Sequence, residues 1–247
     1  GYHFLNWLVG GVNAGTANFY VLRNITSNKT ISAVFEIDTY TLTVNQAANG
    51  TISPSTVIKN YGTSETFTAT ASTGYHLVHW LIDGIEAGAS PTKIISNISA
   101  NRSISAVFAI DTFTVTVNQR TGGTISPASS SKNYGSTETY TATAATGYHF
   151  LHWIVNGVDT GTTSTYVLSN ITSNKTITAH FELDTFTVGV IQPNNGSISP
   201  GTGIKNYGSS ETYTATASTG YHLENWFMDG SYYNPTPTFV LLSLIHI

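Results

Sequence analysis

The chain has 247 residues, 40% of them hydrophobic and only 9% charged, with Lys+Arg 9 against Asp+Glu 13 and a net charge of −4. So few basic residues exclude a nucleic-acid groove and a patch for an anionic membrane surface. Cysteine is absent, so no disulfide staples the fold, and no apolar run reaches the roughly 20 residues of a membrane-spanning helix.

Gly1-Tyr2-His3-Phe4-Leu5-Asn6-Trp7 opens the chain, and the pattern returns at Gly74–Trp80, Gly147–Trp153 and Gly220–Trp226. The spacing is 73 residues each time, and all four tryptophans lie in this motif. An unbroken period of this size means tandem copies of one small module. Residues 1–38 are the C-terminal part of a truncated repeat. Complete repeats occupy 39–111 and 112–184, and a truncated repeat occupies 185–241. With no initiator Met and an opening inside a repeat, the chain reads as a fragment of a larger protein. Residues 242–247 depart from the repeat and resemble a translated sequencing-adapter scar.

The repeat is followed most easily from Thr112. Phe113, Val115 and Val117 alternate with threonines, which is the period of a half-buried strand. Gly122-Gly123 marks a turn, and Asn49-Gly50 and Asn195-Gly196 in its place are hairpin signals. Thr124–Pro127 begins a second extended segment, whose proline belongs on an edge or at a strand end. Lys132–Gly135 is a second turn. Glu138–Ala144 is a clean alternating strand with Tyr140, Ala142 and Ala144 on one face. The room above those small alanines suits the aromatics of the Gly-Tyr-His motif. A single helical turn near Ala144–Thr146 is compatible with the pattern.

In the motif itself, position 150 is always Phe or Leu and points to the core. Position 151 is Leu5, Val78, Leu151 or Glu224, so it faces solvent at least in part. Asn156-Gly157 closes a turn. Tyr166–Leu168 and Lys175–Phe181 are expected to form a final hairpin around Ser173-Asn174. Leu183-Asp184-Thr185 then runs straight into the next copy. Dominance of Thr and Ser, alternating β-branched residues and recurrent turn signals give an all-β chain.

Candidate site residues sit mostly in the motif. Trp7, Trp80, Trp153 and Trp226 anchor a small core, with Gly74, Gly147, Gly220, Tyr75, Tyr148 and Tyr221 as the other structural positions. The competing reading makes each tryptophan a stacking platform for a sugar ring. His76, His79, His149 and His152 are candidate ligand-binding residues. On a regular strand, residues three apart face opposite sides, so His-x-x-His serves one metal ion poorly. No metal site is assigned. Lys59, Lys132 and Lys205 each precede a Glu by six residues, at Glu65, Glu138 and Glu211, which suits a surface ion pair. Asp38, Asp111 and Asp184 mark the junctions and read as turn-forming residues in preference to calcium ligands. No catalytic constellation recurs and no cofactor is implied.

Tyr40–Val44, Asn49–Pro54, Asn60–Gly62, Gly74–Trp80 and Ser103–Phe108, in that fixed order, resemble the divergent internalin B-repeat family. That family forms tandem repeats in bacterial surface and secreted proteins. The resemblance covers residues 1–241. It implies small β-rich, β-grasp-like modules, here with the helix nearly absent, and it carries over no catalytic residues.

The resulting expectation is a non-catalytic extracellular spacer or stalk within a larger bacterial surface or secreted protein. Its partners are then the neighbouring repeats of the same chain. The alternative is an adhesive array that binds glycan or a host protein weakly per module and by avidity overall. Only Asp111-Thr112 separates Ile110 from Phe113, and two residues span about 7 Å. Tethers this short, repeated identically, predict an open rod or superhelix for the spacer.

Overall fold

Threonine alternating with Val, Ile, Phe and Tyr gives extended backbone throughout, and the described residues contain no helix. The structure is a computed structural model that describes residues 1–242. Positions 243–247, most of the segment read as an adapter scar, lie outside the described residues. Two units make up the chain, Gly1–Asp111 and Thr112–Ile247.

The first unit begins with β1 (Tyr2–Val9), β2 (Val12–Asn13) and β3 (Ile31–Ile37), a three-stranded sheet ordered β2-β1-β3. A complete repeat follows as β4 (Thr39–Val44), β5 (Gly50–Ser53), β6 (Val57–Asn60) and β7 (Glu65–Ala71). It continues through β8 (Tyr75–Ile82), β9 (Ile85–Glu86), β10 (Thr92–Ile95) and β11 (Arg102–Ile110). Its strands form a five-stranded sheet, β6-β4-β11-β8-β9, and a three-stranded sheet, β10-β7-β5. The last strand of the repeat, β11, therefore lies in the centre, parallel to β4 and antiparallel to β8. Leu42, Ile52, Phe67, Trp80, Ile98 and Ile104 form the core.

The second unit repeats this plan. Its complete repeat comprises β12 (Thr112–Asn118), β13 (Gly123–Ser126), β14 (Ser130–Asn133) and β15 (Glu138–Ala144). Then come β16 (Tyr148–Val155), β17 (Val158–Gly161), β18 (Thr165–Leu168) and β19 (Lys175–Leu183). The sheets are β14-β12-β19-β16-β17 and β13-β15-β18. After Asp184 come β20 (Thr185–Val188), β21 (Gly196–Ser199), β22 (Gly203–Asn206) and β23 (Glu211–Ala217). The described strands end with β24 (Trp226–Met228), β25 (Ser231–Tyr233) and β26 (Thr238–Leu241). These pair only as β20-β22, β21-β23-β26 and β24-β25.

Three local expectations need correction. The Asn49-Gly50 turn is not a hairpin, because β4 and β5 go to different sheets. The Gln46 side chain takes over there, bonding the N–H and the C=O of Ile52, both at 2.8 Å. Gln119 does the same for Ile125, and Gln192 for Ile198. Nor do Tyr166–Leu168 and Lys175–Phe181 form a hairpin. Strand β18 pairs with β15, whereas β19 pairs with β12 and β16. Fully buried Ile171 carries the chain from one sheet to the other, tied by Gly135 N–H to Ile171 O and by Ile171 N–H to Ser136 O. Finally, Ala144–Thr146 holds no helical turn. Strand β15 ends at Ala144, and Thr146-Gly147 is a tight turn.

Candidate functional site: an inter-repeat joint

Trp80 and Trp153 are fully buried, so neither ring has an open face for a sugar. Each indole N–H is satisfied by a backbone carbonyl ten residues on, Ser90 O at 2.8 Å and Thr163 O at 2.9 Å. Trp226 is also buried and donates to Thr236 O at 2.8 Å. Trp7 is only partly buried and donates to Ala17 O. A buried indole with its one donor paired adds apolar area without an unsatisfied polar group. Tyr148 packs within its own repeat, its ring lying where a Cβ on Gly122 would stand. Tyr75 is half-buried, and Tyr221 is exposed.

The residues around the tryptophan form a joint between consecutive copies. At Gly147 a Cβ would fall 2.2 Å from Cδ1 of Tyr207, a residue of the next repeat. Gly147 also has φ +78°, which glycine adopts without a steric penalty. One residue, Asp184, joins β19 to β20. Its N–H donates to Gly147 O at 2.8 Å, and its carbonyl accepts from Tyr207 N–H at 2.8 Å. Its carboxylate accepts from His149 Nδ1 at 2.8 Å. A carboxylate can only accept, so Nδ1 carries the proton. His149 Nε2 lies 3.7 Å from Glu182. Beneath the joint the Tyr207 ring packs on Phe186 at 6.5 Å.

The first unit builds the same joint. A Cβ on Gly1 would fall 2.3 Å from Tyr61 Cδ1. Asp38 N–H donates to Gly1 O at 2.9 Å, and Tyr61 N–H donates to Asp38 O at 2.8 Å. His3 Nδ1 lies 2.9 Å from Asp38 Oδ1. That hydrogen bond holds the Asp38 carboxyl below the usual carboxylate range, against the opposing effect of burial. His76 and Asp111 pair at 2.7 Å, with Asp111 N–H on Gly74 O. The junction aspartates therefore do not turn the chain. Each continues one repeat into the next and holds a histidine of the repeat it leaves. His3/Asp38, His76/Asp111 and His149/Asp184 all stand 35 residues apart. That constant offset was present in the sequence and is the signal that identifies the pairs.

The period of a strand predicts opposite sides for the two histidines of His-x-x-His. A β-bulge between Phe150 and His152 breaks the alternation. His149 faces Glu182 and Asp184, while His152 stacks on His180 at 4.8 Å, on the same sheet surface. Phe150, Trp153 and Val155 share the core face. Burial pushes the His180 imidazole below its usual value, helped by the positive charge of Arg120 and opposed by Asp159. His79 lies 3.7 Å from Glu86, and His152 the same distance from Asp159. Among the described residues no three His, Asp or Glu converge on one point suited to a metal ion. Gly220 has φ +85° with nothing over it, and His222 has no junction aspartate among the described residues.

Lys59–Glu65, Lys132–Glu138 and Lys205–Glu211 form ion pairs across the turn that leads into each alternating strand. The hydrogen bond that Lys205 donates to the Glu211 carboxylate raises Lys205 above the usual lysine value. The three pairs recur at one place and staple β6 to β7, β14 to β15 and β22 to β23.

No curated protein matches the chain. The family model described as the divergent InlB B-repeat domain matches three times in tandem, at residues 40–112, 113–185 and 186–242. Repeats of this family occur in bacterial surface proteins. With three tandem matches covering most of its length, the chain belongs to the divergent InlB B-repeat family.

Proposed function

We propose that the chain is a non-catalytic spacer segment of an extracellular or surface-attached bacterial protein, and that its repeats serve to set distance. The observation that carries this reading is the joint. At the junctions inside each unit, glycine, junction aspartate, histidine and the tyrosine of the following copy are spent on holding one repeat against the next. None of them is left free for a ligand. At Asp38 and at Asp184, each within one unit, a one-residue connection with two backbone hydrogen bonds and a tyrosine over a glycine restricts how far the two joined copies swing.

The surface of the complete repeats supports the same reading. Across 39–184 the exposed large hydrophobic side chains are aliphatic, apart from Tyr61, which is a joint residue. Exposed threonines dominate the outer faces of β7 and β15. An adhesive array would instead present a recurring aromatic surface, and the exposed side chains of the complete repeats do not form one among the described residues. Small-angle scattering of the chain tests the proposal. A compact globule of this length has a radius of gyration of about 18 Å. The spacer reading expects a clearly larger value, and a value near the globular one overturns it.

A further inference from the structure

In each complete repeat the first strand and the last strand are neighbours and run in the same direction. Strand β4 pairs with β11 in parallel, with Leu42 opposite Arg102 and Val44 opposite Ile104. Strand β12 pairs with β19 in the same way, from Val115 opposite Lys175 to Asn118 opposite Thr178. The chain enters this repeat at the start of β12 and leaves it at the far end of β19. Both connections are single residues, Asp111 before β12 and Asp184 after β19. A pull along the chain therefore reaches these two strands with no slack loop to take up first. It draws them lengthwise past each other, in opposite directions.

Side chains lengthen the ladder beyond the strands' own bonds. Asn101 Oδ1 accepts from Thr41 N–H at 2.8 Å, and Asn174 Oδ1 accepts from Thr114 N–H at 2.9 Å. At the other end of β4, Asn45 donates its backbone N–H to Ile104 O and its side-chain amide to Ser103 Oγ, both at 2.8 Å. Under the ladder lie Leu42 and Ile104 in one repeat, and Val115 and Ile177 in the other, all fully buried. That apolar floor keeps water from replacing the bonds from below as they stretch. The last strand is also held along its second edge, by β8 in one repeat and β16 in the other.

We propose that each complete repeat is a mechanical clamp that carries tension along the chain. The bonds of a parallel ladder are evenly spaced along the strands. Under lengthwise shear they share the load and fail together. Pulled apart from one end, the same bonds fail one after another, each under the whole load. Parallel pairing of the first and last strands gives the first case for any pull through the natural chain. Equilibrium stability does not measure this property, because forced unfolding is governed by the unfolding rate. Such a clamp deepens the spacer reading and rests on it for the setting in which tension acts. Its own parts all lie within 39–184.

Single-molecule force spectroscopy on the full chain tests it. The chain has no cysteine, so paired cysteine substitutions at exposed positions give handles that choose the direction of pull. Thr112→Cys with Thr185→Cys loads the start of β12 against the end of β19, in shear. Thr112→Cys with Ser173→Cys loads the same two strands from neighbouring ends, in peeling. The shear pair is expected to hold a several-fold higher force at one loading rate, then to release about 250 Å of chain less the folded span. Asn174→Ala, which removes one bond of the ladder, is expected to lower the shear force and leave the peeling force almost unchanged. Equal forces in the two directions overturn the proposal, and so does a shear force that Asn174→Ala leaves unmoved. Scattering answers separately for the spacer. A radius of gyration near the globular value removes that reading, while a directional force difference still establishes the clamp.

Discussion

The complete repeat 112–184 and the last repeat 185–242 share the strand Glu-Thr-Tyr-Thr-Ala-Thr-Ala, at Glu138–Ala144 and Glu211–Ala217, yet differ in how much of the fold forms around it. Both keep the three-stranded sheet, as β13-β15-β18 and β21-β23-β26, with the same registers. Only the complete repeat has the five-stranded sheet. There the Gly-Tyr-His segment is the eight-residue strand β16, whereas in the last repeat just Trp226–Met228 is a strand. The two sheets therefore have different requirements. The smaller one is formed by strands β13, β15 and β18 alone. The larger one depends on the closing strand, because β19 is the central partner of both β12 and β16. The strand that comes last in sequence holds the middle of the sheet.

The sharpest way to break this comparison is to remove the same tryptophan from each repeat. Trp153→Ala should cost about 3–5 kcal/mol, the range for a fully buried large side chain. Trp226→Ala should cost clearly less, because β24 pairs only with β25. Chemical denaturation of the full chain, followed by site-resolved hydrogen exchange in each repeat, separates the two. Equal costs would mean that the closing strand is not what organises the core around the tryptophan.

Two glycines sharpen the account of the joint. Gly147 and Gly157 have φ +78° and +81°, but only Gly147 lies under the ring of the following repeat's tyrosine. Alanine at either position meets left-handed strain of about 1–2 kcal/mol. Gly147→Ala must also displace Tyr207, so its cost should exceed that of Gly157→Ala by about 1–3 kcal/mol, the usual scale of overpacking. Equal costs in denaturant melts would leave the tyrosine contact without energetic weight.

A smaller effect separates 112–184 from 39–111, where Val107 stands in place of His180. Burial disfavours the charged form of His180 in the folded chain, and the residue titrates nearer its ordinary value when unfolded. The unfolded chain therefore binds the proton more readily. The histidine leaves stability intact above about pH 6.5 and lowers it as the pH falls further, down through the depressed folded value. His180→Val should reduce the acid sensitivity of this repeat in melts at stepped pH. An unchanged profile would assign that sensitivity to other groups. Smallest of all, Leu151→Glu should stay within about 0.5 kcal/mol, since this side chain is 40% exposed and Glu224 already stands at its counterpart.

Much of the fold was legible in the residues. Alternation located β12, β15 and β19, and Asn156-Gly157 marked the tight turn between β16 and β17, with φ +50° and +81°. The choice of strand partners was not legible. A turn signal such as Asn49-Gly50 reports a local bend and says nothing of which sheet receives the next strand. That outcome depends on Gln46, whose amide substitutes for a neighbouring strand, and on Ile171, which plugs the space between the sheets. The bulge at Leu151 was also invisible as such, although a core position at Phe150 followed by one at Trp153 already contradicts a period of two. Taken singly, the histidines suggest ligand binding and the junction aspartates suggest turns. Their pairing is a long-range event, recorded in sequence only as an offset of 35 residues.

Hydrogen exchange along the full chain, at a concentration where it is monomeric, tests most directly whether the closing strand makes the repeat. Amides of β11 and β19 are paired on both edges, and they should exchange only through unfolding of a whole repeat. The free edge of β3, residues 16–30 and residues 189–195 and 218–225 have no closing partner and should exchange much faster. The account predicts this contrast between 39–184 and the flanking repeats, with β15 and β23 differing least. Uniform protection from Gly1 to Leu242 would contradict it.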